Sequence, residues 1–159
     1  MMVPKFRAYI KDLDEFEYND VPHKGHFVYG NLIKGKLNDD VDAIVGDLIE
    51  INDEYVNAEW WCSIEKGSAE QITGLKDTDD NEIYAGDILH FGSMWCVGDE
   101  YDPREEEHIG LVEYRPDYAS YVVNCNGKIY PLEQVISFDR YSVQGNVHTN
   151  PELLEAQHE

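Results

Sequence analysis

From about residue 71 onward, short segments rich in Ile, Val, Tyr and Phe recur roughly every 10 to 15 residues, separated by Gly, Asn, Asp and Pro. They read as Ile83–Phe91, Ser93–Val97, Ile109–Arg115, Ser120–Cys125, Lys128–Val135 and Tyr141–Val147. Regular short segments with turn signals between them suggest strands of a small barrel or sandwich. Asn126-Gly127 lies between two of them, the strongest short hairpin signal because both residues tolerate positive φ. At the far end Asn150-Pro151-Glu152 opens a short helix, with Asn as N-cap, Pro at the first helical position and Glu at the positive end of the dipole. Leu153 and Leu154 are expected to dock that helix on the β structure.

The first 70 residues have the same texture in looser form. Residues 3–11 alternate apolar and polar, the period of a strand with one buried face. His26–Lys34 and Ile44–Ile51 are further strand candidates, and Val56–Ile64, with Trp60 and Trp61, is a strand or irregular. Residues 12–20 and 36–42 are polar and turn-like. A length of 159 residues suits one domain or two small ones. The expected organisation is a β-rich region over 1–70 and a β-barrel-like domain over 71–159 with a terminal helix. Val45-Gly46-Asp47-Leu48-Ile49 echoes Ala85-Gly86-Asp87-Ile88-Leu89, either as a trace of duplication or as a common turn-to-strand solution.

Charge narrows the functions. There are 33 acidic and 12 basic side chains, a net charge of −21. The excess is −8 in residues 1–70 and −13 in 71–159. Direct nucleic-acid binding needs clustered Lys and Arg, and only five basic residues, none adjacent, lie in 71–159. An anionic membrane surface is equally disfavoured, and no apolar run approaches the ~20 residues of a span. The opening Met1-Met2-Val3-Pro4-Lys5-Phe6-Arg7 has no apolar stretch, so no signal peptide is expected and the location is expected to be cytoplasmic. The most acidic stretch, Gly98–His108, is expected to be an exposed loop. With 42% apolar residues, including 11 Tyr, 5 Phe and 3 Trp, a packed core is within reach.

Motifs for catalysis are missing. Cys62, Cys96 and Cys125 lie at least 29 residues apart, which suits neither a disulfide framework nor a zinc knuckle, so they read as reduced structural thiols. His23 and His26 flank Lys24-Gly25, a turn rather than a helical metal pair. Asp77-Thr78-Asp79-Asp80-Asn81-Glu82 starts like a calcium loop. However, Glu82 stands at the position that needs Gly, and Ile88 stands where a bidentate acid belongs. It reads better as a tight acidic turn. There is no Gly-x-Ser-x-Gly elbow and no phosphate-binding glycine loop. No catalytic, cofactor-binding or metal-ligating residue is therefore assigned. Tyr84, Tyr101, Tyr114, Tyr118, Tyr121, Tyr130 and Tyr141 crowd the second half, as cross-strand packing or as an exposed aromatic platform.

Gln71-Ile72-Thr73-Gly74-Leu75-Lys76-Asp77, followed by Glu82-Ile83-Tyr84-Ala85-Gly86-Asp87-Ile88-Leu89, resembles the hallmark of the YopX family of phage and prophage proteins. Lys5-Phe6-Arg7-Ala8-Tyr9, Phe27–Ile33 and Gly145–Leu154 are similar to family counterparts too, so the resemblance covers nearly the whole chain. Asp79-Asp80-Asn81 replaces the family's Lys-Asn-Gly turn, and Ala85 its usual Glu. The resemblance implies a phage or prophage accessory protein of unassigned role, with no catalytic residues to carry over. The motif itself is a turn, the strand Glu-Ile-Tyr, and a second turn at Gly86-Asp87, the way small SH3-like barrels begin.

The fold class expected is mainly β: a small SH3-like barrel in the C-terminal half, an N-terminal β-rich segment and a short C-terminal helix. The function expected first is a non-enzymatic interaction module. It would bind a phage or host protein, with an exposed apolar or aromatic patch and self-association into a homo-oligomer. The −21 charge raises a second reading, an acidic DNA mimic that occupies a host DNA-binding protein. A third is an enzyme on a β scaffold, whose sign would be a buried cluster of acids and histidines near His90 or His108.

Overall fold

The computed structural model describes residues 5–11, 21–36, 41–96, 103–138 and 140–155, with only the backbone for 93–96 and 103–106. It is mainly β, built from several antiparallel sheets, and divides into two units, Met1–Ile72 and Thr73–Glu159.

In the first unit β1 (Phe6–Tyr9) pairs antiparallel with β3 (Phe27–Ile33), placing Phe6 opposite Gly30 and Tyr9 opposite Phe27. The two-residue strand β2 (His23–Lys24) folds back onto β3 through Gly25-His26, with Gly25 at φ +60°. β4 (Val41–Val45) adds to β3, and β7 (Trp61–Glu65) to β4. On the other side of β1 lie the first residues of β8 (Glu70–Lys76), with Phe6 opposite Gln71. Ala8, Ile10, Val28, Ile44, Cys62 and Ile64 form the core. β7 alternates strictly, Cys62 and Ile64 inward and Trp61, Ser63 and Glu65 outward, the period of two that a half-buried strand requires.

Between β4 and β7 run β5 (Leu48–Ile51) and β6 (Val56–Ala58), a separate two-stranded ladder. The pairing is in effect one long hairpin. Val45 faces Trp61, Gly46 N donates to Trp60 O at 3.0 Å, Glu59 N donates to Asp47 O at 2.8 Å, and Leu48 faces Ala58. A bulge between Leu48 and Glu50 precedes the tip, where Asn52 Oδ1 accepts Glu54 N at 2.8 Å and Tyr55 N at 3.1 Å. Since β3 pairs with β4 only as far as Asn31 opposite Val45, the outer part is a two-stranded arm.

In the second unit the later residues of β8 pair with β9 (Glu82–Tyr84). The main sheet is β13-β12-β11-β10-β14: β10 (Asp87–Cys96), β11 (Pro103–Arg115), β12 (Ser120–Cys125), β13 (Lys128–Pro131) and β14 (Tyr141–Asn146). All pairings are antiparallel. The core is Ile83, Leu89, Phe91, Val112, Val123, Leu132 and Val135. The expected hairpin at Asn126-Gly127 forms with Cys125 opposite Lys128 and φ of 53° and 95°, the two positive values of a type I′ turn.

The structure corrects several expectations. Among the described residues no closed SH3-like barrel is present: β13 and β14 are the two ends of an open sheet. Lys128–Val135 is not one strand, because after Pro131 the chain turns into helix α1 (Leu132–Val135), whose Leu132 and Val135 fill the core. Ser93 begins no new strand, since β10 continues to Cys96 against β11. Of the supposed acidic loop, 98–102 lie outside the described residues, while 103–108 are strand, with Trp95 opposite Arg104 and Gly92 opposite Glu107. The backbone ladder there prevails over the repulsion that charge density predicts. The terminal helix α2 (Glu152–Glu155) exists, with Leu153 and Leu154 half-buried, but Asn150 does not cap it. Its Oδ1 instead accepts Asn146 N at 3.3 Å, over Gly145, where a Cβ would block it.

Candidate functional site

The arm of the first unit is the least expected surface. Ile44–Ile51 reads as one strand, and its outer half proves exposed: Leu48 59%, Ile49 63% and Ile51 68%. Tyr55, Val56 and, at the start of edge strand β7, Trp61 are at least half exposed as well. The signal available in the sequence was the adjacent pair Leu48-Ile49, which no strand can bury on one face, followed by the polar tip Asn52-Asp53-Glu54. Tyr55 donates its hydroxyl to Glu50 Oε1 at 2.8 Å, tying the tip to the shaft.

At the base of the arm lies a cleft of about 470 Å³. It is lined by Lys5, His23 and Lys24 and, from the arm's base, by Asp47, Glu59 and Trp60. The Trp60 indole lies over Gly46, where a Cβ would stand 2.5 Å from Nε1. Gly46-Asp47 and Gly86-Asp87 thus differ in structure despite their shared sequence. Gly46 makes room for a ring, and Asp47 is exposed. Gly86 has φ +92°, and buried Asp87 accepts Tyr84 N at 2.8 Å.

The buried acids are structural hubs. Asp42 accepts Gly67 N at 3.0 Å and Gly35 N at 2.8 Å, which hold its carboxyl below the usual range. Asp77, the first residue of the calcium-like run, accepts Asp79 N, Asn81 N, Asn81 Nδ2 and Val143 N at 2.8–3.3 Å. Burial pushes its pKa up, but the donors outweigh burial and the net shift is downward. Both carboxylate oxygens face N–H donors, and Asp80 takes φ 69°, so the run is a tight turn. Among the described residues no group of three or more His, Cys, Asp or Glu is placed to hold a metal.

His90 and His108 go to different environments. His90 Nε2 lies 3.0 Å from Glu107 Oε2, and Glu107 Oε1 lies 3.2 Å from Arg140 Nη2, an exposed network rather than a buried one. His108 stacks on Phe91 at 5.0 Å and packs beside Tyr130. His23 and His26 flank the β2–β3 turn and are exposed. Cys62 is in the core, and burial pushes the half-buried Cys125 up to about 11. The side chain of Cys96 lies outside the described residues.

The tyrosines divide between the two roles. Tyr84 is buried, and Tyr121, Tyr130 and Tyr141 pack against the core. Tyr114 and Tyr118 are exposed and, with Leu75, Tyr121 and Leu132, line a groove of about 440 Å³ in the second unit. Tyr114 meets Tyr121 edge-to-face at 5.4 Å, and Arg115 lies over Tyr118. Tyr101 lies outside the described residues.

Two β-rich units of antiparallel sheets, one bearing an exposed apolar arm, define a small mainly-β protein. No helix among the described residues is long and apolar enough to cross a membrane. The sequence matches the family model described as YopX protein over residues 5–155, and the chain belongs to that family. Protein EF1440 from Enterococcus faecalis, known from a crystal structure, is similar in fold. The TM-score is 0.54 at 24% identity, with 97% of this chain and 99% of that chain covered. Among curated proteins there is no significant match.

Proposed function

We propose that the protein is a non-enzymatic protein-interaction module whose docking surface is the β5–β6 arm. The observation that carries this reading is the exposure of Leu48, Ile49, Ile51, Tyr55 and Val56 on one two-stranded hairpin. An isolated two-stranded hairpin is marginal in water, and large apolar side chains exposed together on one element are a mark of an interaction site. The structural placement of the buried acids and the exposure of the His90–Glu107–Arg140 network accord with it. Partners in reach of such a surface are a phage protein, a host protein or a further copy of the chain.

The test compares immobilised wild type with an Ile49→Glu/Ile51→Glu variant as baits for lysate proteins, washed at low and then high salt. The expected result is a protein that survives high salt on wild type and is lost on the variant, since apolar contacts resist screening. Retention that is equal on both baits overturns the arm as docking surface. Release by salt of proteins that bind DNA favours instead the acidic-mimic reading.

A further inference from the structure

We propose that the arm docks on a second copy of this chain, each copy's apolar arm, with its acidic tip, seated in the cleft at the base of the other's arm. This rests on the interaction-module reading and names the occupant. Three observations carry it.

The first is area. With whole-residue surfaces of roughly 170–290 Å², the exposed fractions of Leu48, Ile49, Ile51, Tyr55, Val56 and Trp61 amount to on the order of 800 Å². Leu48 and Ile49 point to opposite faces, so a contact that embraces both faces of the arm reaches this whole area, about one partner's share of a stable interface of standard size.

The second is charge. Leu48–Ala58 carries Glu50, Asp53 and Glu54 and no base. The chain has only 12 basic residues, yet Lys5 and Lys24, with His23, line the cleft together with Asp47 and Glu59. Neither lysine has an ion-pair partner among the described residues. The net charge of −21 opposes association in general, so an attraction between copies must be local, and Lys5 and Lys24 are the cleft's groups for it.

The third is continuity. The cleft also offers Pro22, Tyr29 and Trp60, and it begins where the arm begins, at Gly46 and Asp47. Arm and cleft are therefore one surface, apolar and anionic along the arm and aromatic in the cleft, where Lys5 and Lys24 stand alongside the arm base's own Asp47 and Glu59. A two-fold axis lays each end on its complement and closes the contact at two copies.

The experiment is sedimentation velocity of the full chain at on the order of 50 μM, above the micromolar end of affinities for interfaces of this size. Two charge-reversed variants accompany wild type. One is Asp53→Lys/Glu54→Lys at the tip, and the other is Lys5→Glu/Lys24→Glu in the cleft. All four residues are exposed, so folding should be retained, and circular dichroism verifies it. Wild type should sediment as a dimer. Each variant alone should dimerise at least about tenfold more weakly. An equimolar mixture of the two should recover the dimer, because one contact then has both charges reversed and the other is native.

A monomeric wild type, or a dimer that neither variant weakens, overturns the proposal. So does failure of the mixture to recover. Loss of the dimer leaves the broader reading standing if the arm-dependent partner is still captured from lysate. Loss of both removes the interaction module as well.

Discussion

Asp77→Asn isolates the contribution of a buried carboxylate that organises the second unit. Asp77 is 6% exposed, and its Oδ1 accepts Asp79 N and Asn81 N while Oδ2 accepts Val143 N and Asn81 Nδ2. The turn after β8 is thereby bound to β14. Asn keeps the shape but puts an NH2 where one oxygen stood. If Oδ1 is kept, that NH2 faces the Val143 N–H, donor against donor. Asn81 can turn its own amide to recover one bond; the Val143 amide cannot turn. A hydrogen bond to a charged acceptor contributes about 1.5–3 kcal/mol, and a buried donor left unsatisfied costs about 1–3 kcal/mol. The expected loss is about 3 kcal/mol, a fall in Tm of roughly 6–12 °C for a chain of this size. The sign of the pH effect follows from the lowered folded pKa. The carboxylate's stabilisation is complete above the unfolded value of about 3.9, and it is lost as pH falls through the lower folded value. Wild type and variant should therefore differ most above about pH 5 and converge in acid. Urea unfolding followed by circular dichroism at pH 7 and at pH 3 measures both. A variant within about 0.5 kcal/mol of wild type at pH 7 would refute the hub, since that is the scatter of ordinary surface substitutions.

Three other outcomes follow from single features. Gly127→Ala forces a Cβ into φ +95° and should cost about 1–2 kcal/mol, read as a lower urea midpoint; no change would count against the type I′ turn. Gly46→Ala puts a Cβ against the Trp60 indole and should cost about 1–3 kcal/mol, with a changed near-ultraviolet signal from tryptophan. An unchanged spectrum would show that the ring does not lie there. Cys125, raised to about 11, should alkylate on the order of 100-fold more slowly at pH 8 than a free thiol, followed by peptide mass spectrometry; a rate near that of a model thiol would contradict its burial.

Much of the β structure is legible in local sequence. Asn126-Gly127, Ser120–Cys125 and Tyr141–Asn146 are set by turn chemistry and by side chains that suit a pleated surface, and neither needs distant partners. Local sequence misleads where distant partners decide. Gly98–His108 reads as a solvated loop from its charges, yet from Pro103 onward the backbone is held by β10. Lys128–Val135 has strand composition throughout, yet Leu132 and Val135 are drawn into the core as one turn of helix. The arm is not legible locally, because Ile44–Ile51 carries one apolar pattern across two environments. Only the point where β3 stops pairing separates its buried part from its exposed part.

The sequence by itself determined the class of structure, the places of the tight turns and the family, because these depend on local conformational preference and on a long contiguous motif. It also set the acidity that disfavours phosphate-driven nucleic-acid binding. Tertiary structure alone decided that the five-stranded sheet stays open, since closure depends on whether β13 and β14 meet. It decided that Asp77 faces backbone amides, through Val143, 66 residues away. It also decided which apolar residues are left in water. Leu48 and Leu89 follow the same Gly-Asp dipeptide closely, but Leu89 is buried on a strand paired with β11 and β14, whereas among the described residues no third strand pairs beside Leu48. Burial is a property of neighbours, and neighbours are assigned by pairing across the sheet.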